Sequence, residues 1–209
     1  MSFFSHFGKK DFWNELYQFD DLLDFDWFES WEGIKDVVTP YLNKSTEPKI
    51  LNVGCGNSKL SEHIFMDGYT FVMSIDFSSK LVDALQKRYS KMPNTFRFLN
   101  MDCCDMDFVD ECFTHVIDKG TLDSILSEYR STENADRYLE EVVRVLKPFG
   151  VFICCSYRSL EHRLKYLGKV SIFGFSKISK TGISKCTEFI KKTSNLQKIE
   201  SKLSLCLRM

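Results

Sequence analysis

An α/β fold on an open, mostly parallel sheet is the architecture this sequence predicts, and three features predict it. Short apolar runs of strand length recur through the middle of the chain, amphipathic helical stretches alternate with them, and Gly, Pro, Asn and Asp punctuate the joints. Parallel neighbours need a long crossover, usually a helix, so repeated strand–helix alternation implies a sheet with helices on both faces.

Ahead of the alternation, residues 11–43 form an acidic, aromatic stretch containing Phe12, Trp13, Tyr17, Trp27, Phe28 and Trp31, which reads as helices lying over a site rather than as a strand. Lys49 to Gly54 is the first strand, running into a glycine turn. A helix carrying Leu60, Ile64 and Phe65 follows Ser58, a side chain suited to capping. Tyr69 to Asp76 is the second strand, Ser78 to Tyr89 a helix with Leu81, Leu85 and Tyr89 on one face, and Thr95 to Met101 the third strand. Phe113 to Asp118 is the fourth strand. Asn134 to Leu146 is a helix stopped by Pro148 and Gly150, and Gly150 to Tyr157 is the fifth strand. Beyond it the pattern predicts a short helix from Leu160 to Leu167, a strand-like run from Val170 to Phe175, a lysine-rich helix near Ser184 to Lys192 and a last strand from Lys202 to Leu207. The two final strands are candidates for an antiparallel edge pair.

At 209 residues, the chain is long enough for one sizeable core, and 44% hydrophobic with 27% charged residues excludes disorder. No stretch approaches the roughly 18 apolar residues of a membrane span, and the N-terminus lacks a secretory pattern, so a cytoplasmic protein is expected. The eight cysteines include no C-x-x-C pair and no His at zinc-ligand spacing, so no metal site is expected. The net charge of -1 hides an asymmetry: residues 1–50 carry 5 Lys+Arg against 10 Asp+Glu, and residues 158–209 carry 12 against 3. These ends are either solvated faces or, at the basic end, a surface for an acidic macromolecule.

The chemistry-bearing residues sit where the predicted strands end. Gly54-Cys55-Gly56-Asn57-Ser58 lets the backbone turn sharply beside a ligand. A strict dinucleotide fingerprint wants a third Gly where this chain has Lys59, which disfavours pyrophosphate. Asp76 ends the second strand, 22 residues after Gly54, where a carboxylate accepts ribose hydroxyls. Asp102, between Met101 and Cys103 after the third strand, is placed to receive an adenine amino group. In open parallel sheets these loops share one crevice at the carboxyl ends of the strands. The fourth strand ends in Asp118-Lys119-Gly120-Thr121-Leu122-Asp123, the most specific string in the chain. Asp118 there either orients a nucleophile or caps the following turn. Trp13 and Tyr17, at i and i+4, share a helix face as two core residues also would.

The run from Ile50 to Leu126 resembles a eukaryotic group of methyltransferase-like enzymes that modify elongation factor 1-alpha on lysine, some also on its N-terminus. The resemblance lies in ILNVGCGNSKLSEHIFMDGY, IDFS, FLNMDCCDMDF and VIDKGTLDSIL, preceded by FWNELY and DWF, and it extends more weakly over residues 11–157. It implies a Rossmann-like seven-stranded methyltransferase sheet, mostly parallel with an antiparallel edge strand, helices on both faces and an N-terminal helical lid. It implies one domain throughout: lid helices over 1–45, a cofactor-binding core over 46–157, and substrate-side and edge strands over 158–209. The implied cofactor is S-adenosyl-L-methionine, with S-adenosyl-L-homocysteine as product. Trp13, Tyr17 and Trp27 would close over it, Gly54 face its methionine part, Asp76 and Phe77 bind ribose and adenine, Asp102 and Cys103 hold adenine, and Lys119 line the pocket. The sequence departs from the group at Asn14 and Leu16, where relatives often carry an acidic residue and Arg.

The implied reaction is methyl transfer to a protein lysine, with elongation factor 1-alpha as the expected partner and neither nucleic acid nor membrane involved. Such an in-line displacement needs alignment and a deprotonated amine, a role for which Asp118 is the candidate, and Tyr157 is a candidate for the acceptor pocket. A nicotinamide-dependent dehydrogenase, a small-molecule methyltransferase and a binding module without turnover are the competing readings.

Overall fold

The computed structural model describes residues 6–18, 24–127, 131–158, 160–167, 173–181 and 185–192. Five strands, β1 (Lys49–Val53), β2 (Phe71–Asp76), β3 (Phe96–Asn100), β4 (Phe113–Lys119) and β5 (Leu146–Ser156), form a parallel sheet in the order β3-β2-β1-β4-β5. The chain steps outward from β1 to β3 and then returns to the other side of β1 for β4. The order therefore reverses between β1 and β4, where loops leave in opposite directions and open a crevice at their carboxyl ends.

Period-2 alternation sends side chains to two cores. Ile50, Val72, Phe96 and Phe98 pack with Trp31, Ile34 and Val38 of α2 (Trp31–Val38), Leu60 and Ile64 of α3 (Leu60–Met66), and Leu81 and Leu85 of α4 (Ser79–Arg88). Leu51, Val53, Ile75 and Val116 point to the other face, against Ala135, Tyr138, Leu139 and Val142 of α6 (Ser131–Val145). The spacing of those α6 residues is the i, i+3, i+4, i+7 stripe of an amphipathic helix. Asn52 is buried in β1 without penalty because its amide donates to Ser61 Oγ at 2.8 Å, and that hydroxyl pairs with Ser74 Oγ at 2.8 Å.

Two further strands continue the sheet: β7 (Lys185–Lys192) runs antiparallel along β5 and β6 (Phe173–Thr181) antiparallel along β7. The lysine-rich helix expected near Ser184 to Lys192 is therefore a strand. The open edge of β5 offers a full ladder, from Val151 opposite Lys191 to Ser156 opposite Cys186, and Thr187, Phe189 and Ile190 are strand formers that the lysine count obscures. β6 begins inside the expected 170–175 run and continues to Thr181, while the expected strand at Lys202 to Leu207 lies outside the described residues. A short α1 (Lys10–Leu16) precedes the sheet, α5 (Thr121–Ile125) follows β4 directly, and α7 (Leu160–Leu167) follows β5. Among the described residues no helix is long and apolar enough to cross a membrane.

Candidate active site

The loops after β1, β2, β3 and β4 converge with the N-terminal segment on one cavity of about 670 Å³. Its lining includes Trp13, Tyr17, Trp27, Gly54, Asp76, Phe77, Asp102, Cys103 and Lys119, nine of the ten residues to which the sequence assigns cofactor binding or catalysis. Asp118 is the tenth and does not line it.

Gly54 sits at φ +57, and a Cβ built there would stand 2.2 Å from Thr121 Oγ1. Only glycine lets the end of β1 approach Thr121, whose hydroxyl donates to Val53 O at 2.8 Å and ties β1 to the β4–α5 junction. Asp76 is buried at the tip of β2 and accepts the N–H of Gly56 and of Ser78, both at 3.0 Å. Burial pushes its pKa up against those two donors. Asn100, at the end of the neighbouring β3, anchors the Phe77 backbone by donating its amide to Phe77 O at 2.8 Å.

Asp102 accepts the N–H of Cys104 at 2.9 Å and the ammonium of Lys10 at 2.6 Å. Burial pushes the Asp102 carboxyl up, but these donors outweigh it and hold it below the usual carboxylate range. The same Lys10 ammonium lies 5.7 Å from the Phe77 ring centroid. Hydrogen bonding between the adjacent Cys103 and Cys104 thiols pulls Cys104 below and Cys103 above the ordinary thiol range.

Aromatic rings cover the cavity. Trp13 stacks on Tyr17 at 6.0 Å and meets Trp27 edge-on at 5.9 Å, while its indole N–H donates to Phe7 O at 2.6 Å and Ser124 Oγ at 3.1 Å. Residues 24–28 are held down by ion pairs to the core: Asp24 with Lys59 at 2.9 Å and Arg88 at 2.6 Å, and Asp26 with Lys119 at 2.9 Å. Lys119, whose side chain is only 4% exposed, also donates to Trp27 O at 2.9 Å, so it fastens the segment carrying Trp27 to the end of β4. Lys10 and Asp26 were not singled out from the sequence. Each pairs with a residue more than ninety positions away, a partnership no local pattern signals.

Asp118 is completely buried beneath this floor. Its oxygens accept Thr121 N at 2.8 Å, Leu122 N at 3.0 Å and Tyr138 Oη at 2.8 Å. That is the capping arrangement, with both oxygens turned to the start of α5. Burial lifts its pKa to about 7 even though all three donors favour the ionised form. An acid whose folded pKa is raised stabilises the fold below its unfolded value near 4 and loses that contribution as pH rises to about 7, on the order of 4 kcal/mol in full. Asp118→Asn is expected to flatten this part of the pH dependence. It is also expected to destabilise the protein by about 1–3 kcal/mol at pH 7, because an amide NH₂ then faces a donor. Urea titrations at pH 5 and pH 8 measure both effects.

The cavity suits a nucleoside with an amino-acid tail. It has a glycine cradle that a Cβ would fill, carboxylates at the ends of β2 and beyond β3, and flat aromatic walls. A parallel sheet of this order with such a cavity at its switch point defines a Rossmann-like cofactor-binding domain. The chain belongs to the methyltransferase family, whose methyltransferase-domain model matches residues 51–154, and its cofactor is S-adenosyl-L-methionine. It is 33% identical over 174 residues to the EEF1A lysine methyltransferase 4 of Bos taurus, covering 79% of this chain and 67% of that one. It is 34% identical over 171 residues to the eEF1A lysine and N-terminal methyltransferase of Bos taurus, covering 81% of this chain but only 24% of that longer protein. The fold resembles the crystal structure of the Burkholderia thailandensis 1,6-didemethyltoxoflavin-N1-methyltransferase with bound S-adenosylhomocysteine. The TM-score there is 0.60 at 15% identity, over 78% of this chain and 79% of that one.

Proposed function

We propose that this protein transfers a methyl group from S-adenosyl-L-methionine to a lysine of a protein substrate, elongation factor 1-alpha, in the cytoplasm. The observation that carries the reading is the convergence of Gly54, Asp76, Asp102 and the Trp13–Tyr17–Trp27 rings on one cavity, in a chain whose relatives are named for that substrate. In this reading the chain works as one domain. Residues 1–45 act as the lid, 46–157 bind the cofactor, and 158–209 supply substrate-side contacts and the antiparallel edge of a seven-stranded sheet.

When bound, the cofactor would supply a sulfonium-activated methyl, the acceptor nitrogen bonding to that carbon as its C–S bond breaks and S-adenosylhomocysteine leaves. The protein's residues do the rest. Asp76 and Phe77 take ribose and adenine, Asp102 and Cys103 the adenine edge, and Gly54 gives the amino-acid tail room. Trp13, Tyr17 and Trp27 exclude water, which raises the cost of a charged acceptor ammonium and so favours the free amine. Lys119 holds the lid segment down. Asp118 serves as a positioning residue, fixing Lys119 to Leu122 through the α5 cap rather than touching the acceptor.

The acceptor reaches this point past Tyr157 and Phe28. Tyr157, 62% exposed after β5, stacks on Phe28 at 6.3 Å, and Phe28 in turn packs on Gly120 of the cavity wall. Asp123 braces the same corner by accepting Ser156 Oγ at 2.8 Å and Tyr157 N at 3.1 Å. Tyr157→Ala is expected to raise KM for the protein substrate about tenfold while leaving cofactor affinity within about twofold, the pattern of a lost acceptor contact. Titration calorimetry and initial rates separate the two.

The whole proposal is tested by incubating the protein with methyl-labelled S-adenosylmethionine and either purified elongation factor 1-alpha or a cell extract, then mapping label by mass spectrometry. Label on an elongation-factor lysine supports it. Label on another protein moves the substrate, and label only on small molecules overturns protein methylation.

A further inference from the structure

We propose that Asp102, Cys103 and Cys104 form a binding site for a soft divalent cation of the zinc class, and that its occupancy excludes the adenine end of the cofactor. The second half rests on the assignment of this cavity to S-adenosylmethionine. One carboxylate oxygen and two Sγ atoms, one from each residue, all lie within 4.8 Å of one another. All three residues belong to the cavity lining, with both cysteines partly buried against the second core and Cys104 Sγ donating to Asn134 O at 3.5 Å, a weak bond that metal ligation would replace.

The backbone explains the convergence. Asp105 N donates to Asp102 O at 3.1 Å, closing a tight turn with Cys103 and Cys104 at its two corners. Bonds of about 2.3 Å to sulfur and about 2.0–2.2 Å to oxygen set the edges of a zinc tetrahedron near 3.5–4 Å, within reach of small side-chain rotations here. Thiolates favour zinc and its congeners over magnesium or calcium, and a fourth position stays open for water. Asp102 already holds a cation, the Lys10 ammonium at 2.6 Å, and that lysine's side chain is 61% exposed and free to turn to solvent. Binding would replace one cation by another and release the thiol protons to water. The sequence offers no C-x-x-C or His spacing here, and only the turn reveals that adjacent thiols share an acceptor carboxylate's corner.

The test uses the full chain, stripped of metal, titrated with Zn²⁺ against a chromogenic chelator, with S-adenosylhomocysteine affinity measured at zero and saturating Zn²⁺. One tightly held equivalent, a rise in the apparent Kd for S-adenosylhomocysteine of about tenfold or more, and loss of that equivalent in Cys103→Ser/Cys104→Ser are expected. Zinc held equally by the double variant, or held with no effect on S-adenosylhomocysteine, overturns the proposal. Alkylation mapped by mass spectrometry in the unaltered protein reads the site without a variant. Zn²⁺ should protect Cys103 and Cys104, and unchanged alkylation rates refute the site. Absence of S-adenosylhomocysteine binding by the metal-free protein would instead sink the cofactor assignment, while chelator competition and alkylation still report on the thiols.

Discussion

Gly54→Ala is expected to abolish measurable S-adenosylmethionine binding, a loss of about 100-fold or more, with a clear fall in thermal stability. The position combines two independent penalties. At φ +57 an alanine is forced into the left-handed region, which costs about 1–2 kcal/mol. Its Cβ would also lie 2.2 Å from Thr121 Oγ1 and 2.9 Å from Thr121 Cγ2, so Thr121 must leave the bond that ties it to Val53 O. The displaced atoms belong to the cavity wall, so the damage falls on the site as well as on the fold. Gly68→Ala is the matched control: φ there is +92, the nearest atom to a Cβ is Lys44 Nζ at 3.7 Å, and the residue is remote from the cavity lining. It should lose stability and keep cofactor affinity. Equal retention of binding by both variants would mean that the glycine turn is not a cofactor cradle.

Trp13→Ala is expected to weaken cofactor binding about 10- to 100-fold, the ~1.4–2.8 kcal/mol lost when an aromatic cover over a ligand is removed, while costing the fold less than about 1 kcal/mol. The split follows from where the ring sits. No residue of α1 itself is fully buried, and Trp13 packs only part-buried against the first core, beside the buried C-cap Tyr17, while it joins Phe7, Tyr17 and Trp27 over the cavity. A core residue would show the reverse, with affinity following stability. Calorimetric titration beside thermal melting resolves the two cases, and matched losses would return Trp13 to a structural role.

Strands β1 to β4 were legible because each is a short, mostly apolar run closed by a turn residue, whereas β5 begins four residues earlier than expected, at Leu146 and through Pro148, because Leu146 pairs with Phe113 ahead of a register shift. The C-terminal hairpin was not. Lysines and a short apolar run in Lys185–Lys192 imitate a solvated helix, and only the unpaired edge of β5, a tertiary fact, decides for a strand. In the site, Gly54, Asp76 and Asp102 were readable because their roles follow from their places at strand ends. The Lys10–Asp102 and Lys119–Asp26 pairs were not, since ion pairs across such separations leave no periodic trace. Asp118 was ambiguous for a different reason. An aspartate after a strand caps a helix or serves chemistry with the same side chain, and only its three hydrogen bonds and complete burial distinguish the two.

The most direct measurement is a calorimetric titration of the purified protein with S-adenosylhomocysteine, run beside one with NAD and repeated on Asp76→Ala. Saturable one-site binding of S-adenosylhomocysteine is predicted, with none of NAD and a loss of about tenfold or more in Asp76→Ala as a buried carboxylate partner is removed. Binding of NAD in its place, or S-adenosylhomocysteine affinity unchanged by Asp76→Ala, would contradict the assignment of the cavity.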